Sequence, residues 1–569
     1  MISTPWQFER HLRYDELVEW LEAKASAHPD LVALEVYGTS SEGRPLLLVT
    51  VTDGAHGSHD TKPAHWVDAN IHATELTACI AACRVIDHLI TGFEDGEPSV
   101  CEALATRAFY VVPRVNPDGA ELALADAPRY VRSSTRPWPH TSGDPMPGLF
   151  ASDVDGDGRV LQMRIEDPAG GWTPHPEDER LMIPVPVDGA PAGAARYRLL
   201  TEGTVVDYDG FTIPTPKPPE GLDLNRNFPS GWGTSVHGSG DHPLSEPEID
   251  ALVRAMVSRP NICGSHAFHT SGGVLLRPSS TQPDRVLPPF DVWAWTELGE
   301  RATALTGYPV HSVYEDFTWD PSETMSGAAD DWAYDHLGIY SWTTEFWDVV
   351  EAATGTKQST KFWYTGPTDD EALAVLRWVD THWAEGFEPW RPFDHPQLGT
   401  VEVGGFDAHN VWNNPPPPLL AEAVRGHAEA VVVQALASPQ LEIDHVSTHP
   451  LGRASTDGDQ PAAVWRVEVA IANTGWLPTD VSARARKEHL VLPGQAVVTG
   501  PSLDIIGGPA RVEFGQLDGR SALRFRGSND GTPDRALVSW VVQAPPGTEL
   551  MIEVSHQRAG SATMAVTLG

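Results

Sequence analysis

Residues 66–90 read WVDANIHATELTACIAACRVIDHLI, and this stretch decides the fold. WVDANI reads as a short strand. In the residues after it Cys79, Ala82, Cys83, Ile86 and Ile90 recur at helical spacing and share one face. A strand running into an apolar-faced helix is the building unit of an α/β sheet, and the same alternation extends both ways from here. Upstream lie a helix pattern at 14–28 (Leu17, Val18, Leu21, Ala25) and two strand-like runs, VALEVYG and PLLLVTVT, joined by TSSEGR. Downstream, AFYVVPRV runs into the turn sequence NPDG. Regular patterns return with EPEIDALVRAMVS, strands around 262–277 and a helix near 368–385.

Two stretches interrupt the rhythm. Residues 133–220 are rich in Pro, Gly and Asp and read as a long irregular insertion. The run NNPPPP at 413–418 can continue neither helix nor sheet, and a helix-like LLAEAVRGHAEAVVVQALA follows it. From about 440 the period becomes two: Val467, Val469 and Ile471 point one way, as do Leu550, Ile552 and Val554. The expected fold is therefore α/β, a mixed β-sheet flanked by helices, plus a C-terminal all-β sandwich. The expected organisation is a first domain at 1–412 with its insertion at about 133–220, a proline-rich linker and helix at 413–439, and the sandwich at 440–569.

Composition narrows the partners. With 569 residues, 41% of them apolar, there is material for more than one core. Against 78 acidic side chains stand only 39 basic ones, a net charge of −39 that repels phosphate backbones, so nucleic acid is not an expected partner. No run approaches the ~20 uninterrupted apolar residues of a membrane span. The stretch MISTPWQFERHLRYDELVEW lacks a basic region followed by an apolar one, so no secretory leader is expected and the compartment reads as cytoplasmic. Cys79, Cys83, Cys101 and Cys263 form no CxxC pair and read as free thiols rather than a disulfide framework or a thiolate metal site.

Chemistry enters at His72 and Glu75. Where a strand meets a helix, a His and a Glu three apart can converge on one ion, a nitrogen and a carboxylate oxygen that zinc accepts. Among 23 histidines one such match arises by chance about once, so a third ligand is needed. The strand CGSHAFHTSGGVLLRP offers His266 and His269, which on an alternating strand face opposite sides, so only one can enter a given site. Arg226, in GLDLNRNFPSGW, and Arg132, in RYVRSS, suit a carboxylate clamp or a developing oxyanion. Glu345 closes IYSWTTEFW, where poor solvation would raise its pKa towards that of a general base.

The order HxxE, NPDG, arginine, DLNRNFP, strand His, GxxxDWxY and TxE resembles that of the carboxypeptidase A/B-type zinc metallocarboxypeptidases. The likeness runs over residues 10–390 apart from the insertion. It implies that His72, Glu75 and His269 hold zinc, with His266 outside the pattern. It implies further that Asn225 and Arg226 grip a terminal carboxylate, that Arg132 polarises the scissile carbonyl and that Glu345 is the general base. The implied activity is hydrolysis of C-terminal residues from peptides with a free C-terminus. Asp330 falls at the position that sets side-chain preference and suggests cationic ends. Two departures stand out. The position of the family's substrate-capping tyrosine holds Glu323, with Tyr314 nearby, and the arginine of the family's HxRE form is Thr74.

Other readings share these residues. One is a zinc amidohydrolase acting on a peptidoglycan stem or a side-chain-linked amino acid; another is a non-catalytic binding protein on the same fold. Within the insertion, DVDGDGRV spaces Asp153, Asp155 and Asp157 as in the first half of a calcium loop, although Arg164 stands where the closing glutamate belongs. Calcium is thus a second expected cation. The oligomeric state is left open.

Overall fold

The computed structural model describes residues 6–139, 146–189, 193–318, 324–359, 361–453, 463–525 and 530–569. The chain opens with α1 (Tyr14–Ala27) and the antiparallel pair β1 (Val32–Thr39) and β2 (Pro45–Val51). β3 (Ala64–Ala69), α2 (Leu76–Glu94), α3 (Pro98–Thr106), β4 (Ala108–Val112) and α4 (Pro117–Ala123) follow. The insertion, expected to be irregular, contains six short strands: β5 (Gly148–Ala151), β6 (Gln162–Glu166), β7 (Trp172–Pro174), β8 (Met182–Pro184), β9 (Tyr197–Thr201) and β10 (Gly203–Val206). Then come α5 (Pro247–Val257), β11 (Ile262–Thr270), β12 (Val274–Arg277), α6 (Pro289–Thr306), β13 (Val310–Ser312), α7 (Ala329–Trp332) and β14 (Tyr340–Phe346).

The main sheet has the order β1-β2-β4-β3-β11-β14-β12-β13. Its centre, β4-β3-β11-β14, is parallel, while β1–β2, β2–β4 and β12–β14 pair antiparallel, which makes it the mixed sheet expected. Parallel strands covered on both sides must be apolar throughout, and every residue of β3, β4 and β11 is buried. On β4, Phe109 and Val111 face the core under α2, whereas Tyr110 and Val112 face the one under α5. Thirteen of the 19 residues of α2 are buried, so a helix long and apolar enough in composition to cross a bilayer forms the middle of a core. Each Leu or Ile sealed there contributes about 1.5–3 kcal/mol. The helix His427–Leu436, which follows the proline run, packs against α2, α3 and α6, so this part of the expected linker is fastened to the first unit. Cys79, Cys83 and Cys263 are buried free thiols.

The hairpin β15 (Phe387–His395) and β16 (Gly399–Phe406) completes the insertion's sheet, whose order is β15-β16-β6-β9-β7-β8. Beyond it lie β17 (Leu441–Arg453), β18 (Ala463–Asn473), β19 (Gly494–Thr499), β20 (Asp504–Gly507), β21 (Arg511–Gly515), β22 (Arg535–Ala544), β23 (Glu549–His556) and β24 (Gly560–Thr567). They form two four-stranded antiparallel sheets, β17-β18-β22-β20 and β21-β19-β23-β24. Val467, Val469 and Ile471 from one sheet meet Leu550, Ile552 and Val554 from the other in a common core, the sandwich that the alternation implied.

Candidate active site

Functional side chains gather at the carboxyl ends of the parallel strands, the usual place for a ligand in such a sheet. β3 is followed by Asn70, whose positive φ of 58° starts the turn to His72, and its Nδ2 donates to the His72 carbonyl at 2.7 Å. β11 and β14 lie side by side with His269 opposite Glu345, so these two emerge on one face of the sheet. His266 points to the other side, where it packs against His65 and Trp342.

His72, Glu75 and His269 converge. Nδ1 of His72 lies 2.8 Å from one Glu75 oxygen, Nδ1 of His269 lies 2.8 Å from the other, and the two nitrogens are 3.1 Å apart. All three residues are buried. Asp223 engages Nε2 of His72 at 3.1 Å, so with a metal on Nδ1 the ring proton would sit on Nε2. Two imidazole nitrogens and a carboxylate, turned towards one point and backed by a carboxylate behind one ring, are a donor set that suits zinc. Burial works against the charge on Glu75, but the two imidazoles hold its carboxyl well below the ordinary range.

Glu75 is also the N-cap of α2, and its side chain does not cap the helix. Asn414 does this from 337 residues away. Its Oδ1 accepts the N–H of Thr77 at 3.0 Å and the Thr77 hydroxyl at 2.8 Å, while its Nδ2 donates to Thr74 O.

The remaining residues line one cavity of about 310 Å³ with the three above: Arg132, Asn225, Arg226, Asp330 and Glu345. The half-exposed Arg132 donates to Asp223 at 3.2 Å and to Glu75 at 3.4 Å. One oxygen of Glu345 is buried without a hydrogen-bond partner. Burial, then the nearby charge of Glu75, pushes its pKa up to about 8, while His269 and Arg132 pull the other way. Asn225 Oδ1 accepts the N–H of Ala329, fastening the loop that bears Asn225 and Arg226 to the start of α7, where Asp330 sits. Burial likewise raises the Asp330 carboxyl.

The second cation is not supported. Asp153, Asp155 and Asp157 do approach one another, with ligand atoms within 4.8 Å. However, Arg391 pairs with Asp155 and Asp157, and Arg159 pairs with Asp157, so guanidinium groups already supply the charge that calcium would bring. Glu323 lies outside the described residues, and Tyr314 is exposed and does not line the cavity. Sequence reasoning passed over Asp223 and Asn414. Asp223 stands two residues before Asn225 and three before Arg226, a signal within reach, whereas Asn414 lies in the proline-rich run and gave none.

A family model described as "Zinc carboxypeptidase" matches residues 17–155 and 182–363, more than half of the chain, and the gap between the two stretches falls inside the insertion. A second, described as "Domain of unknown function (DUF8731)", matches 440–567. Carboxypeptidase B of Astacus astacus is 28% identical over 162 residues, 28% of this chain and 44% of that one. Zinc carboxypeptidase A 1 of Drosophila melanogaster is 28% identical over 152 residues, 26% and 33%. The chain thus spans less than half the length of either relative. Carboxypeptidase B of Bos taurus is 23% identical over 395 residues, 67% and 72%. Among solved structures, thrombin activatable fibrinolysis inhibitor aligns at 19% identity and a TM-score of 0.39, covering 67% of this chain and 76% of that one.

Proposed function

The chain belongs to the zinc carboxypeptidase family, and from that premise we propose that it removes single residues from the C-termini of peptides. The observation that carries this reading is the convergence of His72, Glu75 and His269 in the same cavity as Glu345, Asn225 and Arg226. Zinc held by the first three supplies Lewis acidity towards a carbonyl oxygen and towards water at neutral pH. Glu345 Oε takes the proton of the attacking water and returns one to the leaving amine. Arg132 donates to the carbonyl oxygen as negative charge develops there. Asn225 and Arg226 pair with the terminal carboxylate, a charge that an internal peptide bond does not offer, which makes the enzyme an exopeptidase. Asp330 favours a cationic terminal side chain. A lysine or arginine entering beside its buried carboxyl would ionise it and supply a counter-charge, whereas an apolar side chain would leave it with only its hydrogen bonds from Asp331 N–H and the Thr343 hydroxyl.

The test is mass spectrometry of peptides incubated with the zinc-loaded protein. Peptides ending in Lys, Arg, Leu or Phe are offered with free and with amidated C-termini. Loss of one residue from the free peptides alone, fastest for Lys and Arg, is expected. Equal cleavage of amidated peptides would move the reading to an amidohydrolase, and equal rates on Leu and Lys would remove the role of Asp330.

A further inference from the structure

Between Asp330 on α7 and Glu345 on β14 the chain makes one irregular helical turn, Ala333–Leu337, closed by Gly338 at φ 64°. The last carbonyls of such a turn have no partner within it. Here the C-terminal sandwich provides them. Arg558 donates to the carbonyls of Leu337 and Gly338, and the Ser482 hydroxyl donates to Gly338 O at 2.6 Å. Arg558 is only 4% exposed. Among the described residues it has no carboxylate within ion-pair distance, and its third acceptor is again a carbonyl, that of Asp480 at 3.3 Å. A buried guanidinium without a counter-charge is costly, and the negative end of a helical turn is the group that offsets it.

Further bonds tie the same segment. Asp291 of α6, fully buried, accepts the N–H groups of Ala483 (2.7 Å) and Arg484 (3.0 Å) from the sandwich. It also accepts the hydroxyls of Tyr334 (2.8 Å), within the turn, and Tyr340 (3.0 Å), just beyond it. Arg484 pairs with Asp335 at 3.2 Å. Cys263, at the start of the strand that bears His269, donates to Arg558 O at 3.2 Å. A Cβ on Gly338 would meet that of Ala485 at 2.6 Å, so the sandwich packs here too closely for any side chain at 338.

We infer that the C-terminal sandwich is a fixed intramolecular brace of the peptidase unit, with Arg558 as its positioning residue: it holds the Leu337–Gly338 turn, and through it Asp330 and Glu345, in place against His269. The kinetic part of the argument rests on the function proposed above; the structural part does not.

Full-length zinc-loaded Arg558→Met, Arg558→Lys and Ser482→Ala proteins test this by zinc content, kcat and KM, and amide hydrogen exchange over 333–346. In Arg558→Met, zinc content should equal that of the wild type and exchange should quicken within 333–346. In the same variant kcat should fall by about 10²-fold, the scale of an ångström-sized misplacement, and KM for a Lys-ended peptide should rise as Asp330 shifts with the turn. Arg558→Lys should recover part of the loss. Wild-type exchange and kcat in Arg558→Met would overturn the inference, as would a loss of activity that only tracks the unfolded fraction. Should Arg558→Met not fold, Ser482→Ala removes one bond to the same carbonyl and is judged by the same readouts. A wild type that cleaves no peptide would end the peptidase reading, and exchange alone would then decide the brace.

Discussion

At the scale of single residues, Glu75 and Glu345 are two carboxylates of one cavity with opposite fates. Imidazoles on both oxygens keep Glu75 ionised, whereas burial and the charge of Glu75 itself raise Glu345 from 4.5 to about 8. Such a divergence is what the proposed roles of ligand and base require. Glu345→Gln should keep its zinc and lose about 10²–10⁴-fold in kcat/KM, measured on a free-ended peptide beside a metal assay. A base works only when ionised, so activity should fall as pH drops through its pKa. Bound zinc opposes the upward shift, which puts the acid limb of kcat/KM between the ordinary 4.5 and about 8. Gly327 is a second test. Its φ of 77° suits glycine, and a Cβ there would meet Arg226 O at 2.4 Å. Gly327→Ala should therefore displace Arg226 of the proposed carboxylate clamp and raise KM more than it lowers kcat in steady-state assays.

At the scale of elements, the strand-to-helix junction of β3 and α2 turns its N-cap residue, Glu75, into the proposed zinc site, so the helix needs a cap from elsewhere. Asn414 provides it. Asn414→Ala should lower stability by about 0.5–2 kcal/mol in urea unfolding. It should also weaken zinc binding in a chelator competition, because Thr74 O and the turn bearing Glu75 lose their anchor. Zinc affinity equal to that of the wild type would limit Asn414 to capping. The parallel pairing of β11 with β14 is the other element that matters. It puts His269 and Glu345 in register, and a slip of one residue would turn Glu345 to the opposite face.

For the whole molecule, buried histidines set the response to acid. His11, His65, His427 and His556 are each lowered by burial to about 3 from an ordinary 6.5. Below pH 6.5 the unfolded chain takes up protons that the folded one refuses. The stability these groups contribute is therefore complete above 6.5 and is lost as pH falls towards 3. Tm, followed by scanning calorimetry, should drop steadily from pH 7 to pH 4, and a flat profile would mean that these rings are more accessible than their burial indicates. Much of this architecture was legible beforehand. The helical spacing of Cys79, Ala82, Cys83, Ile86 and Ile90 pointed to α2, and the alternation through Val467 and Ile552 pointed to the sandwich, because burial imposes a local period. The insertion was misjudged because its strands are short and interleaved with turn-formers, and because β6 pairs with β16 across more than 230 residues.

By itself the sequence determined which side chains could share a face: His72 with Glu75 across a turn, and only one of His266 and His269 on a given side of their strand; the ordered motifs that resemble the family's then singled out His269. Only the tertiary structure decided what stands behind them, with Asp223 behind His72, Asn414 capping α2, Arg391 beside the Asp153 loop and Arg558 on the turn that leads into the Glu345 strand. Local spacing constrains neighbours in the chain, whereas these partners meet through packing, and no period in the sequence records a contact between residues hundreds apart.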